Sequence, residues 1–225
     1  MRQRSYKAFL FDLNGTMIDD MSYHIKAWHR ILNSLGANLS LDEMKRECYG
    51  KNQELLERVF PNRFSIEEKN SMSLEKEKAY QQDFRPHLKL IDGLGDFLAL
   101  AKEQNIKMAI GSAAIQFNID FVLDGLNIRH YIDAIVSADD VGDSKPHPET
   151  FLKCAEALLV KPQDCLVFED APKGVEAALN AGMDCIVITT MHGPEEFTVY
   201  KNVIGYISTY KEDILQQLLC LKETV

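Results

Sequence analysis

The chain has no C-x-x-C pair, and its five cysteines, Cys48, Cys154, Cys165, Cys185 and Cys220, are odd in number. Neither a disulfide framework nor a zinc knuckle is indicated, and reduced thiols are the simpler reading. No apolar run approaches the ~20 residues of a membrane span. The basic start Met1-Arg-Gln-Arg-Ser-Tyr-Lys7 leads into Ala8-Phe-Leu-Phe11, but Asp12 ends that run too early for a signal peptide. A soluble, cytoplasmic protein is expected. Positive charge is scarce as well: 25 Lys and Arg stand against 34 Asp and Glu, a net charge of −9. Such a surface repels phosphate backbones and anionic membranes, so neither nucleic acid nor membrane is an expected partner. The phosphate-binding pattern G-x-x-x-x-G-K-[ST] is missing, and Gly93-Leu-Gly95 lacks the third glycine of a dinucleotide fingerprint. With no repeat, no low-complexity tract and no long heptad, a monomer is expected.

What is present is ordinary globular composition: 225 residues, 46% hydrophobic and 26% charged. At roughly 150 residues per domain, this length suggests one large domain or a core with a smaller insertion. Short apolar runs alternate with helical patterns, the mark of an α/β fold on a mostly parallel sheet. Strands are expected at Lys7–Phe11, Lys107–Gly111, Ala134–Ser137, Cys165–Glu169, Cys185–Thr189 and Val203–Ile207. Core helices are expected at Gly93–Gln104, Ala113–Gly125, Pro148–Leu159, Pro172–Ala181 and Thr209–Leu221.

Between the first two strands, residues 19–88 read as helical throughout. Ile25, Trp28, Ile31, Leu32 and Leu35 recur at helical spacing, with Asp19 and Asp20 suited to the start and Gly36 to the stop. Ser40-Leu-Asp-Glu43, Ser65-Ile-Glu-Glu68 and Thr209-Tyr-Lys-Glu212 have capping-box spacing. Glu75-Lys-Glu-Lys78 reads as a solvated helix face. About seventy residues exceed what one strand-to-strand crossover needs, so this stretch is expected to be an all-helical cap domain, 19–88, on a core of 1–18 and 89–225. Asp19–Asp20 and Phe84–Lys89 would be its hinges.

Ligands of α/β sheets bind beyond the carboxyl ends of the strands. Those positions hold Asp12, Ser112, Lys145, Glu169 and Asp170. Taken singly, a strand-end Asp can be a helix cap and a lone Lys a solvated charge. Acids, a hydroxyl and an ammonium at four successive strand ends instead suggest a phosphate and metal site, with carboxylates for Mg²⁺ and a helix N-terminus behind Ser112 adding positive field.

Four motifs occur in order: Phe11-Asp-Leu-Asn-Gly-Thr16, Gly111-Ser112, Ser144-Lys-Pro-His-Pro-Glu149 and Phe168-Glu-Asp-Ala-Pro-Lys-Gly-Val-Glu-Ala177. Tyr23-His-x-x-Ala-Trp28 adds a fifth match. Over nearly its whole length the chain resembles the haloacid dehalogenase-like phosphotransferases, in their β-phosphoglucomutase-like branch. The resemblance implies a Rossmann-like core with a helical cap, and a Mg²⁺-dependent phosphohydrolase acting on a small phosphorylated metabolite. It implies that Asp12 is the nucleophile forming an aspartyl-phosphate. Ser112 would bond the transferring phosphoryl group, which Lys145 would neutralise together with Asp12. Asp12, the backbone carbonyl of Asn14, Glu169 and Asp170 would hold the metal. Gly15, Thr16 and Ala113 would contact the phosphate, and His24, Gly50, Lys51, Gln53 and Lys76 would be substrate-binding positions of the cap. Trp28 is expected in the core, His24 either packs with it on the cap helix or faces the active site, and His147 is either a ligand contact or a polar loop residue.

Two departures from the family pattern matter. Asn14 stands where the resembling enzymes carry an acid/base aspartate; the carbonyl for Mg²⁺ survives, but proton transfer, worth about 10²–10⁴-fold, is lost. His24, Asp19 and Asp20 are the nearest substitutes by sequence. The mutases also hold a second phosphate with an Arg three residues after a cap Gly and with Ser-Lys-Asn beyond the second-motif Ser. Here those offsets from Gly50 and Ser112 give Gln53 and Ala114, Ile115 and Gln116. A neutral amide does not replace a bidentate Arg on a phosphate dianion, although Lys51 and Lys76 offer cap charges, with Lys76 also reading as an exposed partner of nearby glutamates. Hydrolysis is therefore expected ahead of β-phosphoglucomutase-type isomerisation. Non-catalytic binding of a phosphorylated metabolite is the rival from another class.

Overall fold

A computed structural model describes residues 5–220 of the chain. The chain divides into two compact units, one made of Met1–Asp19 with Lys89–Val225 and the other of Asp20–Leu88. No helix among the described residues is long and apolar enough to cross a membrane.

The sheet unit contains six strands, β1 (Ala8–Phe11), β2 (Lys107–Gly111), β3 (Ala134–Val136), β4 (Cys165–Glu169), β5 (Asp184–Ile188) and β6 (Val203–Ile207), in the order β3-β2-β1-β4-β5-β6. All neighbours pair in parallel. The chain starts at the centre, winds to one edge and returns to β4 beside β1. Strand order therefore reverses between β1 and β4, where α/β sheets open a crevice for ligands.

Alternation explains how β1 holds both faces. Ala8 and Leu10 pack with Phe151, Cys154, Val167 and Val175. Phe9 and Phe11 point the other way into an aromatic cluster: Phe9 lies 5.4 Å from Phe97, Phe11 stacks on Phe168 at 4.8 Å, and Tyr210 joins at 5.8 Å from Phe168. A strand buried on both faces reads as a continuous apolar run, as Ala8-Phe-Leu-Phe11 does. Each buried Phe contributes about 1.5–3 kcal/mol.

The helices of the helical unit are α1 (Met21–Ser34), α2 (Leu41–Glu47), α3 (Asn52–Val59) and α4 (Ile66–Phe84); those of the sheet unit are α5 (Leu94–Glu103), α6 (Gln116–Gly125), α7 (Glu149–Ala157), α8 (Pro172–Asn180) and α9 (Asp213–Cys220). The reciprocal capping bonds at Ser40 with Glu43 and at Ser65 with Glu68 are both formed. Gly36, at φ 95°, ends the α1 segment, and Ala37 N–H bonds Leu32 carbonyl.

The third expected box is not formed. Tyr210 is drawn inward, its N–H on the Asp92 carbonyl and its hydroxyl on the Thr16 carbonyl, so residues 209–212 cannot make a first turn. Glu212 instead accepts from the Ser208 hydroxyl, and α9 starts at Asp213. The expected last residue, Leu221, lies outside the described residues. The α6 start is also later than expected. The Ser112 hydroxyl captures Ala114 N–H, local bonding that competes with a helix. The first helical N–H, that of Gln116, is taken by Asp139, so the positive helix end read behind Ser112 is displaced by three residues, from Ala113 to Gln116.

Asp20 precedes α1 without capping it. The solvated reading of Glu75–Lys78 is likewise corrected. Glu75 and Lys78 are exposed, but Lys76 and Glu77 are only 2% and 3% exposed. A 3.6-residue period places Ser73, Lys76, Glu77, Tyr80 and Phe84 on one buried face of α4.

Candidate active site

Register brings the strand ends level. Phe11 pairs with Ile110 on one side and with Phe168 on the other, so Asp12, Gly111 and Glu169 follow at the same height. Lys145, from the loop before α7, binds all three: its Nζ donates to Asp12 Oδ1 at 2.7 Å, Glu169 Oε1 at 2.7 Å and the Gly111 carbonyl at 3.0 Å. An ammonium has three protons, and each has its acceptor. Far from being a solvated charge, the Lys145 side chain is 9% exposed. Burial by itself favours the neutral amine, but Asp12 and Glu169 outweigh it and hold the group cationic, above the ordinary lysine range.

Glu169 spends its other oxygen, Oε2, on the N–H groups of Asp170 and Ala171. It is fixed from behind by Gly174 on α8, where a Cβ would lie 1.7 Å from Oε1. Gly15 plays the matching part beside Asp170: its φ is +76° and a Cβ there would meet Asp170 Oδ2 at 2.1 Å. Thr190 donates its hydroxyl to the Gly15 carbonyl and ties down that turn.

Asp12, Glu169 and Asp170 are all buried, and one ligand oxygen of each lies within 4.8 Å of the others. Three carboxylates face one ammonium, a deficit of positive charge. Burial first, then the charges of Glu169 and Asp12, push the Asp170 carboxyl well above the ordinary range. The donor set is all oxygen and undercompensated, which fits a hard divalent cation such as Mg²⁺. Among the described residues the Thr16 hydroxyl, in the turn after β1, is buried with no hydrogen-bond partner, whereas buried polar groups ordinarily have one.

Of the expected residues, the sheet unit thus gathers Asp12, Lys145, Glu169 and Asp170 directly, with Gly15 against Asp170. Ser112 is buried at the end of β2, where its N–H bonds the Val136 carbonyl; Ala113 is half-buried in the following turn. Asn14 is half-buried and bridges to Ile18 within the β1 turn. His147 sits in the Lys145 loop and accepts weakly from Glu149 N–H at 3.4 Å. Gly174 and the Gly111 carbonyl were not singled out from sequence. The signal for Gly174 was its place inside the fourth motif, one turn behind the acid pair.

The remaining positions belong to the helical unit, where they make a buried polar cluster. Lys76 Nζ donates to His24 Nδ1 at 2.5 Å and to Glu77 Oε1 at 3.0 Å, and Asn52 donates to the same Glu77 oxygen at 2.7 Å. An ammonium only donates, so His24 Nδ1 is the acceptor and its Nε2 carries the proton directed at Asp20 Oδ2, 3.2 Å away. Tyr80 donates its hydroxyl to the same Asp20 oxygen and stacks on His24 at 3.8 Å. Burial and the Asp20 charge raise the Tyr80 phenol. Lys76 is therefore a buried partner of Glu77, correcting its reading as an exposed one, and Trp28 is core. Gly50 turns the chain at φ 74° before α3, and Lys51 N–H is held by Glu54. Gln53 is not part of the cluster: it bonds Asn70 and lines an open depression with Glu54, Glu57, Arg58 and Pro61.

A family model described as haloacid dehalogenase-like hydrolase matches residues 9–188, the segment that carries every strand-end group above. The chain belongs to the haloacid dehalogenase-like hydrolases. It is similar to the fructose-1-phosphate phosphatase of Escherichia coli strain K12, 31% identical over 184 residues, which span 80% of this chain and 95% of the relative. The β-phosphoglucomutase of Bacillus subtilis strain 168 is 32% identical over 185 residues, spanning 79% and 80% of the two chains. Among solved structures, a β-phosphoglucomutase from Clostridium difficile superposes with a TM-score of 0.82 at 28% identity, covering 95% of this chain and 97% of that one. The chain is thus a phosphatase-type enzyme of the β-phosphoglucomutase-like branch, on an α/β core.

Proposed function

We propose that the protein is a Mg²⁺-dependent phosphohydrolase of small phosphorylated sugars or polyols, working through an aspartyl-phosphate on Asp12. The observation that carries this reading is Lys145 joining Asp12 to Glu169 across three strand ends, beside Asp170 and the unsatisfied Thr16 hydroxyl. Two relatives named as acting on sugar phosphates support the substrate class: the fructose-1-phosphate phosphatase and a phosphorylated carbohydrates phosphatase of Thermotoga maritima, 30% identical over 183 residues. Asp12 and Asp170, with Glu169 beside them and the Asn14 carbonyl, would hold Mg²⁺, which would supply positive charge for the phosphoryl oxygens.

In the first step an Asp12 oxygen attacks phosphorus and the bond from phosphorus to the substrate oxygen breaks. Lys145 balances the charge, and Ser112 and the turn at Gly15 and Thr16 receive phosphoryl oxygens. In the second step water cleaves the acyl-phosphate, releasing inorganic phosphate and restoring the carboxylate. Such a route divides one hard displacement into two easier ones.

Asn14 shapes the kinetics. Its amide cannot deliver a proton to the leaving alkoxide, so turnover falls as the leaving group becomes more basic. p-Nitrophenyl phosphate, whose leaving group needs little protonation, should be hydrolysed faster than a sugar phosphate with an alkyl leaving group. The direct test is turnover of both with Mg²⁺, in the protein and in Asp12→Ala. Metal-dependent hydrolysis abolished in Asp12→Ala supports the reading; phosphate binding without any turnover would transfer support to a non-catalytic binding role. Efficient conversion of β-glucose 1-phosphate to glucose 6-phosphate with a bisphosphate primer would instead favour isomerisation.

A further inference from the structure

Asp143, His147 and Glu149 bring three ligand atoms within 4.8 Å on the surface of the sheet unit and resemble a second metal site. Glu149, however, is already committed. Its Oε1 pairs with Lys153 at 2.8 Å, and its Oε2 accepts from Gly142 N–H at 2.9 Å and Asp143 N–H at 3.2 Å. A cation there would displace two backbone donors and sit against an ammonium. These bonds describe a loop clamp. Glu149 is the first residue of α7, and it reaches back to the entrance of the very loop that ends on it. Lys153, one turn further along α7, donates to the Asp140 carbonyl at 2.5 Å, and Asn180 of α8 donates to the Pro146 carbonyl at 3.0 Å. Halfway round this closed loop stands Lys145, whose ammonium also lies 4.6 Å from the centre of the Phe151 ring of α7.

We propose that Glu149 is a positioning residue: by closing residues 142–149 onto the start of α7, it holds the Lys145 ammonium against Asp12 and Glu169. The geometry is asymmetric in an informative way. One oxygen of Glu149 takes both loop amides, so the clamp needs an acceptor atom at that point more than it needs a charge. Lys153 binds the other oxygen, which the loop amides do not use, and Lys153 has a second acceptor in the Asp140 carbonyl. The Phe151 ring and the Asn180 bond to the Pro146 carbonyl restrain the far side of Lys145, and Glu149 restrains the near side at residues 142–143, so slack there becomes displacement at Nζ. Misplacement of a reacting group by about 1 Å can cost about 10²-fold in rate. The kinetic consequence rests on the phosphohydrolase reading; the positional one does not.

The test compares Glu149→Ala with Glu149→Gln, whose amide oxygen can still accept both backbone bonds. Two readouts are used: p-nitrophenyl phosphate kinetics and the crystal structure of Glu149→Ala. The expected result is a fall in kcat of at least tenfold in Glu149→Ala with KM changed less than threefold. Glu149→Gln should stay within threefold of the parent. In the Glu149→Ala crystal, Lys145 Nζ should lie more than 4 Å from Asp12. Lys145 retained on Asp12 and Glu169 in that crystal would overturn the proposal. So would unchanged kcat despite displacement, or a Glu149→Ala chain that no longer folds, since Glu149 would then be a folding element. If the parent protein itself turns over no phosphomonoester, the phosphohydrolase reading fails, and the crystal structure still decides the position of Lys145.

Discussion

Lys145 Nζ lies 2.7 Å from Asp12 Oδ1, although 133 residues separate the two. No local signal joins them; the parallel register of β1, β2 and β4 does, because it places three strand ends at one height and leaves room for one ammonium among their oxygens. Removing that ammonium exposes the bare charge of three carboxylates. Breaking a buried pair by deleting one partner costs about 3–5 kcal/mol, and losing a charge aimed at a developing oxyanion costs about 10²–10³-fold in rate. Lys145→Met is therefore expected to melt earlier in metal-free buffer, to regain much of the loss when Mg²⁺ is added, and to lose turnover. An unchanged melting temperature in chelator would count against the charge balance described here.

Gly174→Ala tests the back of the site. The added methyl would lie 1.7 Å from Glu169 Oε1, so Glu169 must move away from Lys145. Displacement of this order is expected to lower kcat about 10²-fold while circular dichroism retains the native spectrum. Normal kcat would show that Glu169 has room the structure does not indicate.

In the helical unit the cluster of His24, Lys76, Glu77, Asp20 and Tyr80 is buried, and its charges depend on one another. Lys76→Met alone should destabilise by about 3–5 kcal/mol because Glu77 loses its cation. The double change Lys76→Met with Glu77→Leu should recover at least half of that. Trp28, the single tryptophan, is buried in the same unit, so its fluorescence during urea unfolding reads the effect. A double variant weaker than the single one would contradict the pairing.

The loop clamp has a pH signature. The bond from Lys153, then those from Asp143 and Gly142 N–H, lowers the Glu149 carboxyl from 4.5 to about 2. A depressed folded value stabilises above the ordinary pKa and loses that benefit as pH falls through the folded one. The melting-temperature advantage of the parent over Glu149→Gln should thus be full above pH 4.5 and disappear toward pH 2. An advantage that stays constant over this window would mean that Glu149 does not gain its bonds on folding.

Much of this was legible before any coordinates. Short apolar runs located β2, β4 and β6 to the residue: β2 and β4 are buried at nearly every position and so read as continuous apolar segments, whereas β6 alternates half-buried and exposed residues up to the buried Ile207. The strand-end residues Asp12, Glu169 and Asp170 followed from the same reading. Burial of Lys76 and Glu77 did not, since a charge block pairs inward only when His24 and Asn52 are present on neighbouring helices. The failed box at Thr209 has the same origin: Tyr210 is claimed by Asp92 and Thr16, contacts far away in sequence. The Glu149 clamp was hidden because its partners are backbone amides, which composition does not reveal.

The central claim is an aspartyl-phosphate route slowed by one amide, and Asn14→Asp tests it most directly. With Mg²⁺ and a sugar phosphate carrying an alkyl leaving group, the variant should raise kcat by about 10²–10⁴-fold, with a much smaller gain on p-nitrophenyl phosphate. Equal rates for Asn14→Asp and the parent on the sugar phosphate would contradict the account.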